Sequence, residues 1–311
     1  MTAPLPTAPG PATARPPADR YRAVWAWASA VVITARPRQW PKNLLVLAAP
    51  LAGASLGRRD GLDYALVAVA AFVAASSAVY LVNDTVDAER DRRHPVKRLR
   101  PVASGALPAQ HAAALAAVAM VAALSAGVWI GEPWLVAAIA TYLALSLLYT
   151  LRLKHVPVLE LAFVASGFVL RALGGAAATH VPPSGWFLLV CSLGAVMVAI
   201  VKRCTELRAL GPDAARHRPV LRWYRYGPMR AAGRAVAAAM IIAYLAWAAG
   251  AQDGSMRAWH LASAVPLAAA LFRFDWLAGH AGKRPVEDLI VRDWPMACAE
   301  LAWLALFTLG L

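Results

Sequence analysis

The chain has 311 residues, 60% hydrophobic and 15% charged, and its 31 Lys and Arg against 17 Asp and Glu give a formal net charge of +14 at neutral pH. That apolar fraction exceeds the roughly 45–50% of soluble domains and excludes an ordinary soluble globule, while 20 Gly and 22 Pro, scattered along the chain, exclude a fibrous one. A soluble nucleic-acid binder would explain the charge but not the hydrophobicity; an integral membrane protein explains both if the positive charge gathers on one side of the bilayer.

Residues 1–20 are rich in Pro, Ala and Thr without aliphatic periodicity, and read as a disordered arm. Residues 21–35 are apolar but too short to span; Trp25 and Trp27 suit an interfacial helix. Ala28-Ser29-Ala30 has the small-x-small form of a signal cleavage site, but the apolar stretch before it is shorter than the 7–15 residues such a signal needs. The third unit, residues 36–311, carries the spans. A crossing helix needs about 20 predominantly apolar residues. Uncharged runs predict nine, near 43–57, 63–83, 109–130, 134–151, 157–178, 186–204, 230–250, 257–273 and 293–311.

Nine spans sort the loops into two sets. The turns near Arg58, Glu132, His180 and Gln252 hold only Arg58, Arg59 and Arg257 as basic residues, whereas the N-terminal arm and the longer connections near 84–108, 152–156, 205–229 and 274–292 hold nearly all the others. The basic face is therefore expected to be cytoplasmic, with the N-terminus there and the C-terminus outside. Longer loops are also where chemistry is usually placed.

After the second span comes Asn83-Asp84-Thr85-Val86-Asp87-Ala88-Glu89-Arg90-Asp91. If the helix continues, Asp84, Asp87 and Asp91 fall at i, i+3 and i+7 on one stripe. Three carboxylates so placed call for a cation between them, and oxygen-only ligands favour Mg²⁺, which takes one or two carboxylates plus substrate phosphates. A solvated acidic loop balanced by Arg90, Arg92 and Arg93 is the plainer alternative. The loop goes on through Lys97, Arg98 and Arg100, groups suited to phosphate oxygens as well as to membrane anchoring. Arg171 lies inside the fifth span, where an arginine costs at least about 2.5 kcal/mol, so it is expected to face a polar cavity. Glu160, three turns earlier, need not pair with it. Lys154, Lys202, Arg203 and Glu206 occupy other helix ends on the basic side. Cys191, Cys204 and Cys298 have no pairing or metal-ligand spacing, and the seven histidines are too scattered for a zinc site.

These residues carry a resemblance. The Asn83-Asp84-x-x-Asp87-x-x-x-Asp91 pattern in the first large basic loop resembles the first aspartate motif of the UbiA-type intramembrane prenyltransferases. Further matching segments run from Arg36 to Asn43, Tyr149 to Lys154, Gly167 to Ala172, Lys202 to Leu207, Arg218 to Arg222 and Glu287 to Asp293. The resemblance implies an all-α, nine-helix integral membrane bundle with a polar cavity facing the cytoplasm, in a bacterial plasma membrane. Ordinary members carry a second Asp-rich motif after the sixth span; here that region reads Lys202-Arg203-Cys204-Thr205-Glu206. A second metal cluster is thus not expected, and phosphate binding there is.

The branch most resembled moves 5-phosphoribose from 5-phosphoribosyl 1-diphosphate to a polyprenyl phosphate, decaprenyl by the resemblance, for a cell-wall arabinan precursor. On that reading Asn83, Asp84, Asp87 and Asp91 would form the Mg²⁺-diphosphate site, with Asp84, Asp87 and Asp91 catalytic. Lys42, Arg100, Lys154, Arg171, Lys202 and Arg203 would be phosphate ligands, with Tyr149 and Glu206 also at the substrates. The expected partners are the two substrates and membrane lipids, with no nucleic acid and with homo-oligomerisation left open. A prenyltransferase acting on an aromatic or quinone precursor and a transporter are the rival readings. The missing second aspartate motif argues against the first, and charge gathered at one face rather than the midplane argues against the second.

Overall fold

The computed structural model describes residues 17–58, 60–152, 156–211, 214, 219–250, 254–280 and 293–311, which contain helices and turns and no strand. An all-helical solution is what hydrocarbon demands, since a helix satisfies its own backbone donors and acceptors. The helices are α1 (Pro17–Ala35), α2 (Ala48–Ala52), α3 (Gly61–Val86), α4 (Ala88–Arg92), α5 (Pro101–Ser104), α6 (Ala109–Ile130) and α7 (Pro133–Leu151), followed by α8 (Leu159–Ala178), α9 (Gly185–Leu210), α10 (Tyr226–Ala249), α11 (Gly254–His280) and α12 (Trp294–Leu309).

Seven of these, α3 and α6 to α11, are long and apolar enough to cross a membrane. Two of the nine expected spans differ. In place of one helix over 43–57 there is a 3-10 helix, Pro37–Leu47, then α2, then a turn at Gly53 and Ala54. The reason is local: Pro37 and Pro41 supply no backbone N–H, and Ala54 takes a left-handed φ of 49°. The last element, α12, has 16 residues, short of a full crossing at 1.5 Å per residue. At the other end of the chain, α1 opens at Pro17 rather than at 21; a proline at the first helical position is pre-set for helix and lacks only an N–H that would be unbonded anyway.

Successive helices pack as antiparallel neighbours. One half gathers α3, α6, α7, α8 and the 3-10 helix around Phe72, Leu135, Ile139 and Tyr142. The other joins α9, α10, α11 and α12 around Met197, Phe274, Leu277 and Met296, and the α8–α9 contact couples the two. Small residues set the approach. A Cβ on Gly175 would lie 1.7 Å from the Val46 carbonyl oxygen, and one on Gly174 would lie 2.3 Å from the Phe72 ring. Glycine at 175 lets the 3-10 helix lie directly on α8, and glycine at 174 admits the Phe72 ring of α3.

Ionic contacts collect at two opposite ends. Arg36, Asp84, Asp91, Arg100, Glu160, Arg203, Arg230, Asp275, Arg273 and Asp293 all pair at the ends near 84–108 and 205–229. Glu132, which caps α7 by accepting from the Trp134 N–H at 3.1 Å, meets His180 at 3.1 Å at the other end. This division matches the two loop sets expected from the charge distribution.

Candidate active site

The acidic motif straddles a break between helices. α3 stops at Val86 and Asp87 is the joint before α4. Two backbone bonds, Asp87 N–H to Asn83 O at 3.0 Å and Asp91 N–H to Asp87 O at 2.8 Å, carry the helical spacing across the joint. Asp84 and Asp91 therefore stay on one side, each only 3% exposed. Both accept from one guanidinium: Arg100 Nη1 lies 2.7 Å from Asp91 Oδ2 and 3.2 Å from Asp84 Oδ1. Arg100 is placed by the extended backbone that precedes Pro101 at the start of α5.

A second arginine closes the cluster. Arg36 Nη2 donates to Asp84 Oδ1 at 2.6 Å, and its guanidinium carbon sits 4.7 Å from the Tyr80 ring centroid. Its backbone is left-handed, φ 55°, a conformation costing a non-glycine residue about 1–3 kcal/mol and persisting only where the surroundings hold it. That turn takes the chain from α1 into the 3-10 helix. Lys97, nearby in the loop, is pushed below the ordinary lysine range by desolvation first and by the Arg100 charge second.

Deeper in the bundle, Arg171 on α8 is buried. Its Nε donates to Asn43 Oδ1 at 2.8 Å, Nη1 to the Gly167 carbonyl at 2.6 Å and Nη2 to the Tyr142 hydroxyl at 3.0 Å; the guanidinium lies 4.6 Å from the Tyr142 ring centroid. These partners are neutral, so they satisfy its donors without cancelling its charge. Asn43 is itself fully buried and also donates to Ser76 Oγ at 3.3 Å.

The other expected site residues divide. Arg203 is 1% exposed and Glu160 fully buried, with Arg203 Nε 2.9 Å from Glu160 Oε1, and Arg203 also pairs with Glu206. The arginine expected to bind phosphate is thus committed to an internal ion pair between α8 and α9, in which Glu160 supplies the counter-charge that offsets its burial. Glu160 pairs with Arg203 and not with Arg171. Half-buried Lys42 bonds Gln39, Lys202 is half-buried one residue before Arg203, and Tyr149 packs 6.4 Å from the Phe163 ring. Asn83 and Asp87 are half-buried beside Asp84. Lys154 lies outside the described residues. Sequence reasoning did not single out Arg36, Asn43 or Tyr142 as site residues, although Arg36 and Asn43 bound one of its matching segments.

Among the described residues no three Asp, Glu, His or Cys side chains converge as a metal cage. The donor set nonetheless fits magnesium. Two nearly buried carboxylates converge on a single cationic position, now taken by Arg100 Nη1, and Mg²⁺ needs only one or two carboxylates when phosphates supply the rest.

A helical membrane bundle that holds two nearly buried carboxylates against two arginines at one end has the charged groups to receive a phosphorylated substrate there. The UbiA prenyltransferase family model matches residues 43–286, and the chain belongs to that family. It is 39% identical over 281 residues to a Mycobacterium tuberculosis protein named decaprenyl-phosphate phosphoribosyltransferase, covering 88% of this chain and 92% of that one. The protein of the same name from Mycolicibacterium smegmatis is 37% identical, with 89% and 90% covered. A UbiA homolog from Archaeoglobus fulgidus, solved with GPP and Mg²⁺, shares the fold at a TM-score of 0.69 and 13% identity, with 90% of this chain and 98% of that one aligned.

Proposed function

We propose that this chain transfers the 5-phosphoribosyl group of 5-phosphoribosyl 1-diphosphate to a polyprenyl phosphate, decaprenyl phosphate by the name of its relatives, releasing diphosphate. The observation that carries the reading is the convergence of Asp84 and Asp91 on one cationic position, in a chain 39% identical to a phosphoribosyltransferase of that type. Where ordinary members hold a second Asp-rich motif, Lys202–Glu206 contains no aspartate and Arg203 is taken up by Glu160 of α8 and by Glu206, which supports a sugar diphosphate rather than a prenyl diphosphate as donor.

In the reaction the ribose C1–O bond to diphosphate breaks and a C1–O bond to the lipid phosphate forms. The lipid phosphate is already an anion at neutral pH, so no strong general base is needed. The chain's work is alignment and stabilisation of the charge that grows on the departing diphosphate. Arg36 and Arg100, each 29% exposed and facing the carboxylates, donate to phosphate oxygens as substrate enters. Arg171, held by neutral partners, keeps a positive charge available within the bundle. Asn83, Asp84, Asp87 and Asp91 would hold magnesium. When bound, the ion supplies charge neutralisation at the diphosphate.

The same reading keeps nine crossings: the seven long helices, the stretch Pro37–Ala52, and α12, whose 16 residues reach about 24 Å and cross where the bilayer thins locally to meet them. Eleven 3-10 residues at about 2.0 Å and five α residues at about 1.5 Å carry Pro37–Ala52 across about 30 Å, the thickness of the hydrocarbon core. The polar mouth then faces the cytoplasm of a bacterial plasma membrane, as the positive-inside rule requires. Labelled phosphoribosyl diphosphate and decaprenyl phosphate, supplied together to the purified protein, are expected to give a labelled lipid. Diphosphate release that does not depend on the lipid phosphate would overturn the proposal.

A further inference from the structure

A cavity of about 430 Å³ lies between α9, α10 and α11, away from the aspartate cluster. Its depth is apolar, walled by Ile200, Ala237, Ile241 and Leu271. Its mouth is basic. Arg230 and Arg234, one turn apart on α10, both grip Asp275 of α11, with Nη2 to Oδ2 distances of 3.1 and 3.0 Å. The Tyr226 hydroxyl accepts from Arg208 at 3.2 Å and from Arg230 at 3.4 Å. Among the described residues at this mouth, three guanidiniums stand against one carboxylate. Gly279 makes room for the arrangement, since a Cβ there would lie 2.9 Å from Arg230 Nη2. Arg234 is 60% exposed, so part of its donor fork stays accessible.

The level of this mouth is marked independently. Trp223, just before α10, Trp276, in the last turns of α11, and Trp294, opening α12, are all exposed. Indole rings gather at headgroup depth. Arg230 and Arg234 lie about 6 and 12 Å along α10 from Tyr226, where headgroup phosphates meet acyl chains. A basic notch over an apolar chamber at that depth fits an amphiphile with an anionic head and an alkyl chain.

We propose that this cavity binds an anionic phospholipid of the bilayer, its phosphate on Arg234 and Arg230 and one acyl chain in the chamber. The choice of a non-reacting lipid rests on the reaction proposed above. Cys204 lines the cavity, while its neighbour Arg203 turns to Glu160 on α8, so α9 separates the chamber from the α8 side. No residue is shared with Arg36, Asp84, Asp91 and Arg100. A phosphate held at Arg234 is not at that cluster, where an acceptor phosphate must react. Basic pockets between membrane helices are suited to such headgroups.

Native mass spectrometry of the purified full-length protein, titrated with phosphatidylglycerol, phosphatidylcholine or a polyprenyl phosphate, tests this without reference to turnover. Phosphatidylglycerol retention is expected to exceed that of phosphatidylcholine. It should fall about fivefold in Arg234→Gln, the value of one basic contact at the membrane surface. Ala237→Trp, which fills the chamber, should fall likewise, and the exposed position of Arg234 keeps the test open if Ala237→Trp does not fold. Equal retention of the two phospholipids, or wild-type retention in Arg234→Gln, overturns the proposal. Displacement of phosphatidylglycerol one for one by polyprenyl phosphate overturns it too, by making this the acceptor's own groove. Failure of the phosphoribosyl transfer reading would instead appear as absent lipid labelling with phospholipid retention unchanged.

Discussion

Glu160 of α8 and Arg203 of α9 form an ion pair at 2.9 Å with both side chains essentially out of solvent. Removing one member of such a pair leaves an uncompensated buried charge, which costs about 3–5 kcal/mol, whereas replacing both with apolar groups is often neutral. Glu160→Gln and Arg203→Met are each expected to lower the unfolding temperature in detergent sharply. The Glu160→Leu/Arg203→Met double variant should recover most of the loss. A double variant no more stable than either single one would show that the pair does more than compensate its own burial.

Asp84→Asn and Asp91→Asn are expected to reduce formation of the lipid-linked phosphoribose by about 100-fold or more, the scale of losing one element of transition-state charge stabilisation. Membrane insertion should persist, because each asparagine still accepts from Arg100. Asp87→Asn should behave alike if the joint residue shares the metal. Wild-type rates in any of the three would remove that residue from the site.

Chelation provides a separate check on the metal. Activity is expected to vanish in excess EDTA and to return with Mg²⁺, while the helical circular dichroism signal stays constant, since internal hydrogen bonds and not the ion hold the helices. Full turnover in chelator would contradict the assignment.

The Arg171 cluster is tested through its neutral partners. Tyr142→Phe removes one hydrogen bond to a buried charge and is expected to cost about 1.5–3 kcal/mol of stability. Asn43→Leu leaves Nε unpaired and should cost as much or more. If Arg171 serves substrate phosphate, Arg171→Lys, which keeps the charge but loses the fork, raises KM more than it lowers stability.

Gly175 connects packing to that cluster. Even alanine there brings Cβ within 1.7 Å of the Val46 carbonyl oxygen, which no side-chain rotation relieves. Gly175→Ala is expected to push the 3-10 helix off α8, carrying Asn43 away from Arg171 and lowering activity several-fold while Asp84, Asp91 and Arg100 keep their contacts. The structure of the variant, or an Asn43–Arg171 distance measured by spectroscopy, would check the displacement.

Composition and charge by themselves determined the all-helical membrane class, because apolar runs of crossing length leave a chain few other structures. They also placed five of the seven long helices to within four residues at each end, the 109–130 span coinciding with α6, whereas α9 and α11 run on six and seven residues past the expected ends. The acidic stripe was legible too: seven residues bring Asp84 and Asp91 back to one helix side, and the joint at Asp87 does not undo it. Tertiary structure alone decided which charge meets which. Arg36 lies 48 residues from Asp84 and Asn43 lies 128 from Arg171, separations over which periodicity carries no information. The same limit made Arg203 look like a free phosphate ligand. A basic residue at a helix end reads identically whether it faces water or a buried glutamate on the next helix, and only packing removes the water and assigns the partner.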